Sequence, residues 1–523
     1  MTFDDALRAA AERRRIPIPP LQHPEPLAGL SYPVELMLKR EALLAFWEDQ
    51  KLPGKPEPIV GALEPRRYRT TTKRRVNYGI KGVAFGFATE QRRGLRLRLG
   101  PSLLDLPEHV ALYDALLERL SKPGGITLAS VLNWLVVRGS GKGLALILNV
   151  CAIDARIVRA AKALAEWLQG STLGVRSAFL YVDPTRSEYY LEAQRPEDGT
   201  SFKRLYGPTD LQVEVDGVRL RFPTTAFSQV SASMAPLLVQ HAGTLLGPLE
   251  GITLLDLYCG YGLFTMTLGR TAAHVLGVDF DNPAVEAAKA NAEHLHMSNR
   301  TRFLSGKIDG ALLERRLRPA RGPEVALLDP PRQGTSPDVS EALAERGVER
   351  VLHICCGTDQ IPREVSQWTR VGYRLERAVP IDLFAGTAGL ETLLLFIRER
   401  DWVRPDPDET PEPSARVGRS AAPAWARRST APASSPRDAA RRKPTDSASI
   451  QRPQGKPRKE TPHGDRPDPA QRRTRPHQDG GRAPGRTPGS DRGVLGGGKV
   501  RPRGERPRPG KRGPGRPGHR PDE

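Results

Sequence analysis

Beyond residue 225 the chain alternates short, unbroken apolar runs with helical stretches, and few architectures accommodate that pattern. The runs fall at residues 253–257, 274–278, 325–328, 351–355 and 392–397. A strand with one wet face alternates apolar and polar residues, whereas an unbroken run is apolar on both faces and belongs in a sheet covered on both sides. The pattern predicts an α/β fold, an open and mostly parallel sheet with crossover helices, over residues 226–400.

A chain of 523 residues exceeds what one compact core holds, so other units are expected. Residues 1–65 combine a basic opening, prolines between positions 17 and 26, and a helical pattern over 34–50, and read as a small appendage. Residues 66–225 mix arginine-rich strand-like alternation at 94–99 with helical patterns at 107–120 and 154–168, as in an α+β substrate-handling domain. Residues 401–523 are Pro, Gly, Arg and Ser with few aliphatic side chains, so they cannot bury enough apolar surface to offset ordering entropy. That tail is expected to be disordered, either an RNA tether or a solubilising extension.

Lysine and arginine number 80 against 60 acidic residues, a net charge of +20 that favours a polyanionic partner such as nucleic acid. The apolar runs at 131–137 and 144–150 are too short to cross a bilayer, and Arg138 and Lys142 stand between them. The opening residues carry Asp4 and Asp5 and no apolar stretch of the secretory kind. Of four cysteines, Cys151, Cys259, Cys355 and Cys356, two are adjacent, which is poor geometry for a disulfide. These features predict a cytoplasmic protein with no metal site, since no Cys-x-x-Cys or Cys/His pairing is present; a monomer is the expectation, though nothing in the sequence identifies the oligomeric state.

The segment Leu254-Leu-Asp256-Leu-Tyr258-Cys-Gly260-Tyr-Gly262-Leu-Phe264 puts a strand, a glycine turn and a helix start in succession, where backbone can approach a ligand closely. Such turns serve nucleotides, dinucleotides and S-adenosylmethionine alike. The next strand ends in Asp279, placed to accept hydrogen bonds from a ribose diol, unless it merely caps the helix starting near Pro283. Asp329-Pro-Pro-Arg332 follows another apolar run at the ligand side of such a sheet, although Asp-Pro also forms simple turns. Cys355 and Cys356 end the run at 351–355, where a thiolate can attack an electron-poor ring carbon; buried, inert cysteine is the commoner fate.

In this order the motifs resemble the uracil-5 RNA methyltransferase family, over about residues 66–398. The matching segments are Phe227-Ser-Gln229-Val230, Leu257-Tyr-Cys-Gly260, Asp329-Pro-Pro-Arg332, Cys356 with Arg363, and Leu383-Phe384 through Glu391. The resemblance implies a class I methyltransferase, Rossmann-like sheet and S-adenosylmethionine as cofactor. It also implies 5-methyluridine formation in ribosomal or transfer RNA, with flanking RNA held by the basic middle domain and the target base flipped out. In such enzymes the residue matching Cys356 adds to uracil carbon 6 and the one matching Glu391 removes the carbon-5 proton. Gln229, Tyr258, Asp279 and Asp329 match cofactor positions, with Gly260 the tight turn beside them; Asp329 and Arg332 also match positions near the base.

The chain departs from the family where Asn-Pro after the cysteine is Gly357-Thr358. It departs again where Phe-Pro-x-Thr-x-His-x-Glu is Phe384-Ala385-Gly386-Thr387-Ala388-Gly389-Leu390-Glu391. An asparagine of some members is Leu263, and neither the amino-terminal β-barrel nor the four-cysteine cluster of many relatives is seen. Two other readings stay open: a methyltransferase-fold RNA-binding protein without turnover, and a methyltransferase acting on an exocyclic nitrogen or a protein.

Overall fold

The computed structural model describes residues 1–21, 23–87, 102–186, 202–320 and 322–402. The alternation expected at 94–99 and the basic tail beyond Trp402 lie outside the described residues.

Two helices open the chain, α1 (Phe3–Arg13) and α2 (Tyr32–Asp49). A first sheet then pairs six strands in the order β2-β1-β3-β4-β5-β6. These are β1 (Thr71–Gly79), β2 (Gly82–Gly86), β3 (Leu132–Arg138), β4 (Leu144–Val150), β5 (Val175–Val182) and β6 (Phe202–Tyr206). Helices α3 (Pro107–Ser121), α4 (Pro123–Ala129) and α5 (Ala155–Gln169) cover one face, and the hairpin β7 (Asp210–Val215) and β8 (Val218–Pro223) lies on the other. The strand period of two is explicit in the packing: Leu135, Val137, Leu146 and Leu148 join α3 and α5, while Trp134, Val136, Ala145 and Ile147 join the hairpin. Burial on both faces accounts for the unbroken apolar runs at 131–137 and 144–150. Among the described residues no helix is long and apolar enough to cross a membrane. The helices expected at 107–120 and 154–168 are α3 and α5, the latter capped by Asp154, whose carboxylate accepts from the Arg156 and Ile157 amides.

The second sheet has the order β11-β10-β9-β12-β13-β15-β14. Its members are β9 (Thr253–Leu257), β10 (His274–Asp279), β11 (Thr301–Ser305), β12 (Glu324–Leu328), β13 (Arg350–Cys355), β14 (Tyr373–Ile381) and β15 (Glu391–Arg398). All five expected runs are strands here. β9 to β13 pair in parallel, and β15 enters antiparallel between β13 and β14. One face packs on α6 (Ala235–Leu246), α7 (Leu263–Thr267) and α8 (Asn282–His294). The other packs on α9 (Gly310–Arg316), α10 (Pro337–Glu345) and α11 (Ile361–Arg370). The amino-terminal segment is no appendage: Phe3, Leu7, Leu38, Phe46 and Trp47 share one apolar cluster with Leu257, Leu328, Val351 and Phe396 of the sheet. Its apolar face needs a partner, and the sheet supplies it.

Gly277 shows how tightly β10 is packed. A methyl there would meet the Phe303 ring of β11 at 2.5 Å and the Cys259 sulfur at 3.1 Å. Gly277→Ala is expected to destabilise the fold by about 1–3 kcal/mol, the usual cost of overpacking, read as a lower urea midpoint at unchanged slope.

Candidate active site

The carboxyl ends of β9, β10, β12 and β13 meet along one edge of the second sheet. The chain leaves β9 through a turn whose Tyr258, Gly260 and Gly262 have φ of 65, 53 and 88°. Both Tyr258 and Cys259 donate their amides to the Val278 carbonyl at 2.8 and 3.0 Å, which ties the turn to β10. Asp279 completes the tie, one carboxylate oxygen accepting the Gly260 amide at 2.9 Å and the other the Asp281 amide at 2.8 Å. It does not cap α8, whose N-cap is Asp281. A Cβ added at Gly260 would meet nothing within 4 Å, so the turn faces open space that backbone borders directly.

Asp256, inside β9, was not singled out as a site residue, although a carboxylate within Leu254-Leu-Asp256-Leu is itself a signal. Thr265 donates to one of its oxygens at 2.5 Å, and the other has no hydrogen-bond partner among the described residues. Burial pushes its carboxyl up to about 7.

Asp329 follows β12, its amide bonded to the Leu257 carbonyl. Burial, with Asp256 and Asp279 nearby, raises it to about 7 as well. Gln229 reaches it, Nε2 donating to Oδ2 at 3.4 Å. The loop bearing Gln229 is held by the first sheet: Arg138 donates to the Ala226 carbonyl at 2.6 Å and the Ser228 hydroxyl at 2.8 Å, and the Thr70 amide bonds the Val230 carbonyl at 2.9 Å.

The antiparallel course of β15 brings its first residue to this edge. Cys355 stands opposite Thr392 and Ile381 opposite Glu391, so Cys356 and Glu391 meet where β13 ends and β15 begins. Cys355 is buried and its thiol is held well above the ordinary range by burial. Cys356 is half-buried. Its thiol is pushed up to about 11 by burial and by Glu391, with the Arg332 guanidinium pulling it down. Glu391 is buried, one carboxylate oxygen lacks a hydrogen-bond partner among the described residues, and burial with Asp329 repulsion holds its carboxyl well above the usual range against Arg332. The structure thus gathers Gln229, Asp329, Arg332, Cys356 and Glu391 at one end of the edge, with Tyr258, Gly260 and Asp279 at the β9–β10 end.

Beneath Cys356, His353 accepts from the Trp368 indole at 3.0 Å and stands 3.6 Å from Glu364. Burial lowers this histidine to about 3, so it is neutral. The altered Gly357-Thr358 step leads into a short turn over Thr358–Gln360. Asp359 of that turn accepts the Phe3 amide of α1 at 2.7 Å.

The fold is that of a class I methyltransferase. The solved structure of Pyrococcus abyssi tRNA (uracil-54, C5)-methyltransferase, a complex with S-adenosyl-L-homocysteine, matches with a TM-score of 0.52 at 19% identity. The match covers 72% of this chain and 86% of that one. Residues 198–399 match the family model tRNA (Uracil-5-)-methyltransferase. Over 203 residues the chain is 30% identical to the 23S rRNA (uracil(1939)-C(5))-methyltransferase of Pasteurella multocida, covering 39% of this chain and 46% of that protein. Over 200 residues it is 31% identical to an uncharacterized RNA methyltransferase of Gloeobacter violaceus, covering 38% and 42%. The chain thus spans less than half the length of these curated relatives.

Proposed function

We propose that this protein is an S-adenosylmethionine-dependent RNA methyltransferase that forms 5-methyluridine in ribosomal or transfer RNA through a covalent adduct on Cys356. The observation that carries the reading is the meeting of a half-buried thiol and a buried carboxyl, Cys356 and Glu391, at the ligand edge of a methyltransferase sheet.

The residues present fit the cofactor. The open turn at Gly260 lets a ligand approach the backbone closely, and Asp279 and Asp329 offer acceptors to hydroxyl and amino groups. Tyr258 and Gln229 would complete that enclosure. When bound, S-adenosylmethionine supplies an electrophilic methyl group.

Chemistry on the uridine belongs to the chain's own side chains. The Cys356 thiolate adds to carbon 6, breaking the 5,6 double bond and making carbon 5 nucleophilic. Once carbon 5 carries the methyl, Glu391 takes the remaining carbon-5 proton, the double bond re-forms and the thiolate leaves. Arg332, between the two groups electrostatically, favours the anionic form of each. Its charge also suits the uracil oxygen that gains electron density during addition.

The test uses RNA carrying 5-fluorouridine, because fluorine at carbon 5 cannot leave as a cation and halts the reaction at the adduct. With S-adenosylmethionine present, a denaturation-resistant complex mapping to Cys356 is expected. Its rate of formation should climb about tenfold per pH unit from pH 7 to 9, as the thiolate fraction grows towards a thiol pKa pushed up to about 11. Absence of any adduct from cellular RNA, with cofactor binding intact, would transfer the protein to the binder or nitrogen-methylation reading.

A further inference from the structure

The loop preceding Glu391 lacks the proline and histidine of the family pattern, yet it is held firmly by the amino-terminal segment. Glu35 of α2 accepts the Gly386 amide at 2.5 Å. The same carboxylate pairs with Lys39 at 2.9 Å and with Arg66 at 3.0 Å, and Lys39 pairs with Asp382 at 2.7 Å. Tyr32 donates to the other Asp382 oxygen at 3.0 Å. Around them the Leu27 amide bonds the Gly386 carbonyl at 3.0 Å and the Tyr68 hydroxyl bonds the Ala385 carbonyl at 2.9 Å. Gly386 has φ of 85°, and a Cβ there would meet Leu104 at 2.6 Å, so the backbone of this loop is pressed against its support.

Glu35, Lys39 and Asp382 are all fully buried, each at 0% exposure. A buried ion network is a poor source of stability, because desolvation offsets most of the Coulomb gain and apolar replacements are often neutral or better. What the network does supply is direction: charged, hydrogen-bonded partners that fix one loop geometry. That geometry ends, five residues after Gly386, at Glu391.

We propose that the amino-terminal helix α2 serves as the brace for the catalytic base, with Glu35 the positioning residue that sets the Glu391 carboxylate over its proton. The inference rests on the covalent reading above. It assigns to residues outside the family-matched segment the task that the missing proline and histidine leave open.

Two reactions separate positioning from plain stability in the full chain. On 5-fluorouridine RNA only addition and methyl transfer are needed, so Glu35→Ala should form the trapped complex at the wild-type rate, which also shows that it is folded. On ordinary uridine RNA its kcat should fall roughly 10- to 100-fold at unchanged KM, since a small misplacement of a reacting group costs this much. A denaturation-resistant methylated complex should then accumulate. Glu35→Gln, which keeps an acceptor for the Gly386 amide, should restore most of the rate. Should Glu35→Ala fail to fold, Tyr32→Phe, which removes one hydroxyl, is read by the same split. Undiminished turnover, or loss of trapping and turnover together in a folded variant, would overturn the brace while leaving the covalent reading intact. Failure of the wild type to trap fluorouridine would remove both.

Discussion

Cys356→Ala is expected to abolish methylation and fluorouridine trapping while RNA affinity persists, and Cys355→Ala is expected to remain active. The two thiols are neighbours, and only the structure distinguishes their physical situations. Cys355 belongs to β13, buried and in register with Thr392, with Glu364 and Glu391 repelling its thiolate. It is a small apolar side chain in a closed core. Cys356 lies one residue further, half-buried, with Arg332 the charge that favours its ionisation. Without the thiol there is no way to raise electron density at carbon 5, so turnover should drop to background. Methyl transfer from labelled S-adenosylmethionine to RNA checks this, with filter binding of RNA as the companion measurement. A Cys356→Ala protein with wild-type turnover would move the nucleophile elsewhere or remove it.

Glu391→Gln should lower turnover by about 10²–10⁴-fold, the range found when a general base is removed. It should still permit addition and methyl transfer, so a methylated covalent complex with ordinary uridine RNA should build up. The pH dependence follows from the direction of the shift. A base must be deprotonated to act, and burial with Asp329 repulsion holds the Glu391 carboxyl above the usual range. Turnover should therefore decline with falling pH earlier than an exposed glutamate would dictate, and this acidic limb should disappear from the residual activity of Glu391→Gln. A quench-flow series across pH, scored for both product and complex, reads both effects; equal losses in adduct formation and release would refute the assignment.

The parts of the fold legible in the sequence are those that bury both faces. β9, β10, β12, β13 and β15 appear as unbroken apolar runs for that reason. β11 and β14 escaped because they are edge strands. Thr301 to Ser305 buries only Phe303, and β14 opens on Tyr373-Arg374-Leu375-Glu376-Arg377, with a register shift between Leu375 and Arg377. The helical pattern at 34–50 was visible, but not what it covers. Glu35 and Lys39, four residues apart, pair with each other, and their further partners Asp382 and Gly386 lie some 350 residues away in the sequence. The site residues were legible as types at strand ends. Which of them meet depends on sheet order: Gln229 reaches Asp329, and Glu391 lies opposite Ile381 only because β15 runs antiparallel.

The reversed strand β15 divides the labour of the pocket. The side with Gly260 and Asp279 is built from strands that all point the same way, where each loop begins at the sheet edge and any insertion grows outward from it. The other side carries Glu391, reached through the 382–390 segment that Glu35 and Lys39 of α2 hold at Gly386 and Asp382. If the covalent reading holds, changes in the 382–390 loop are expected to retune the step that releases product while the Gly260 turn and Asp279 stay as they are.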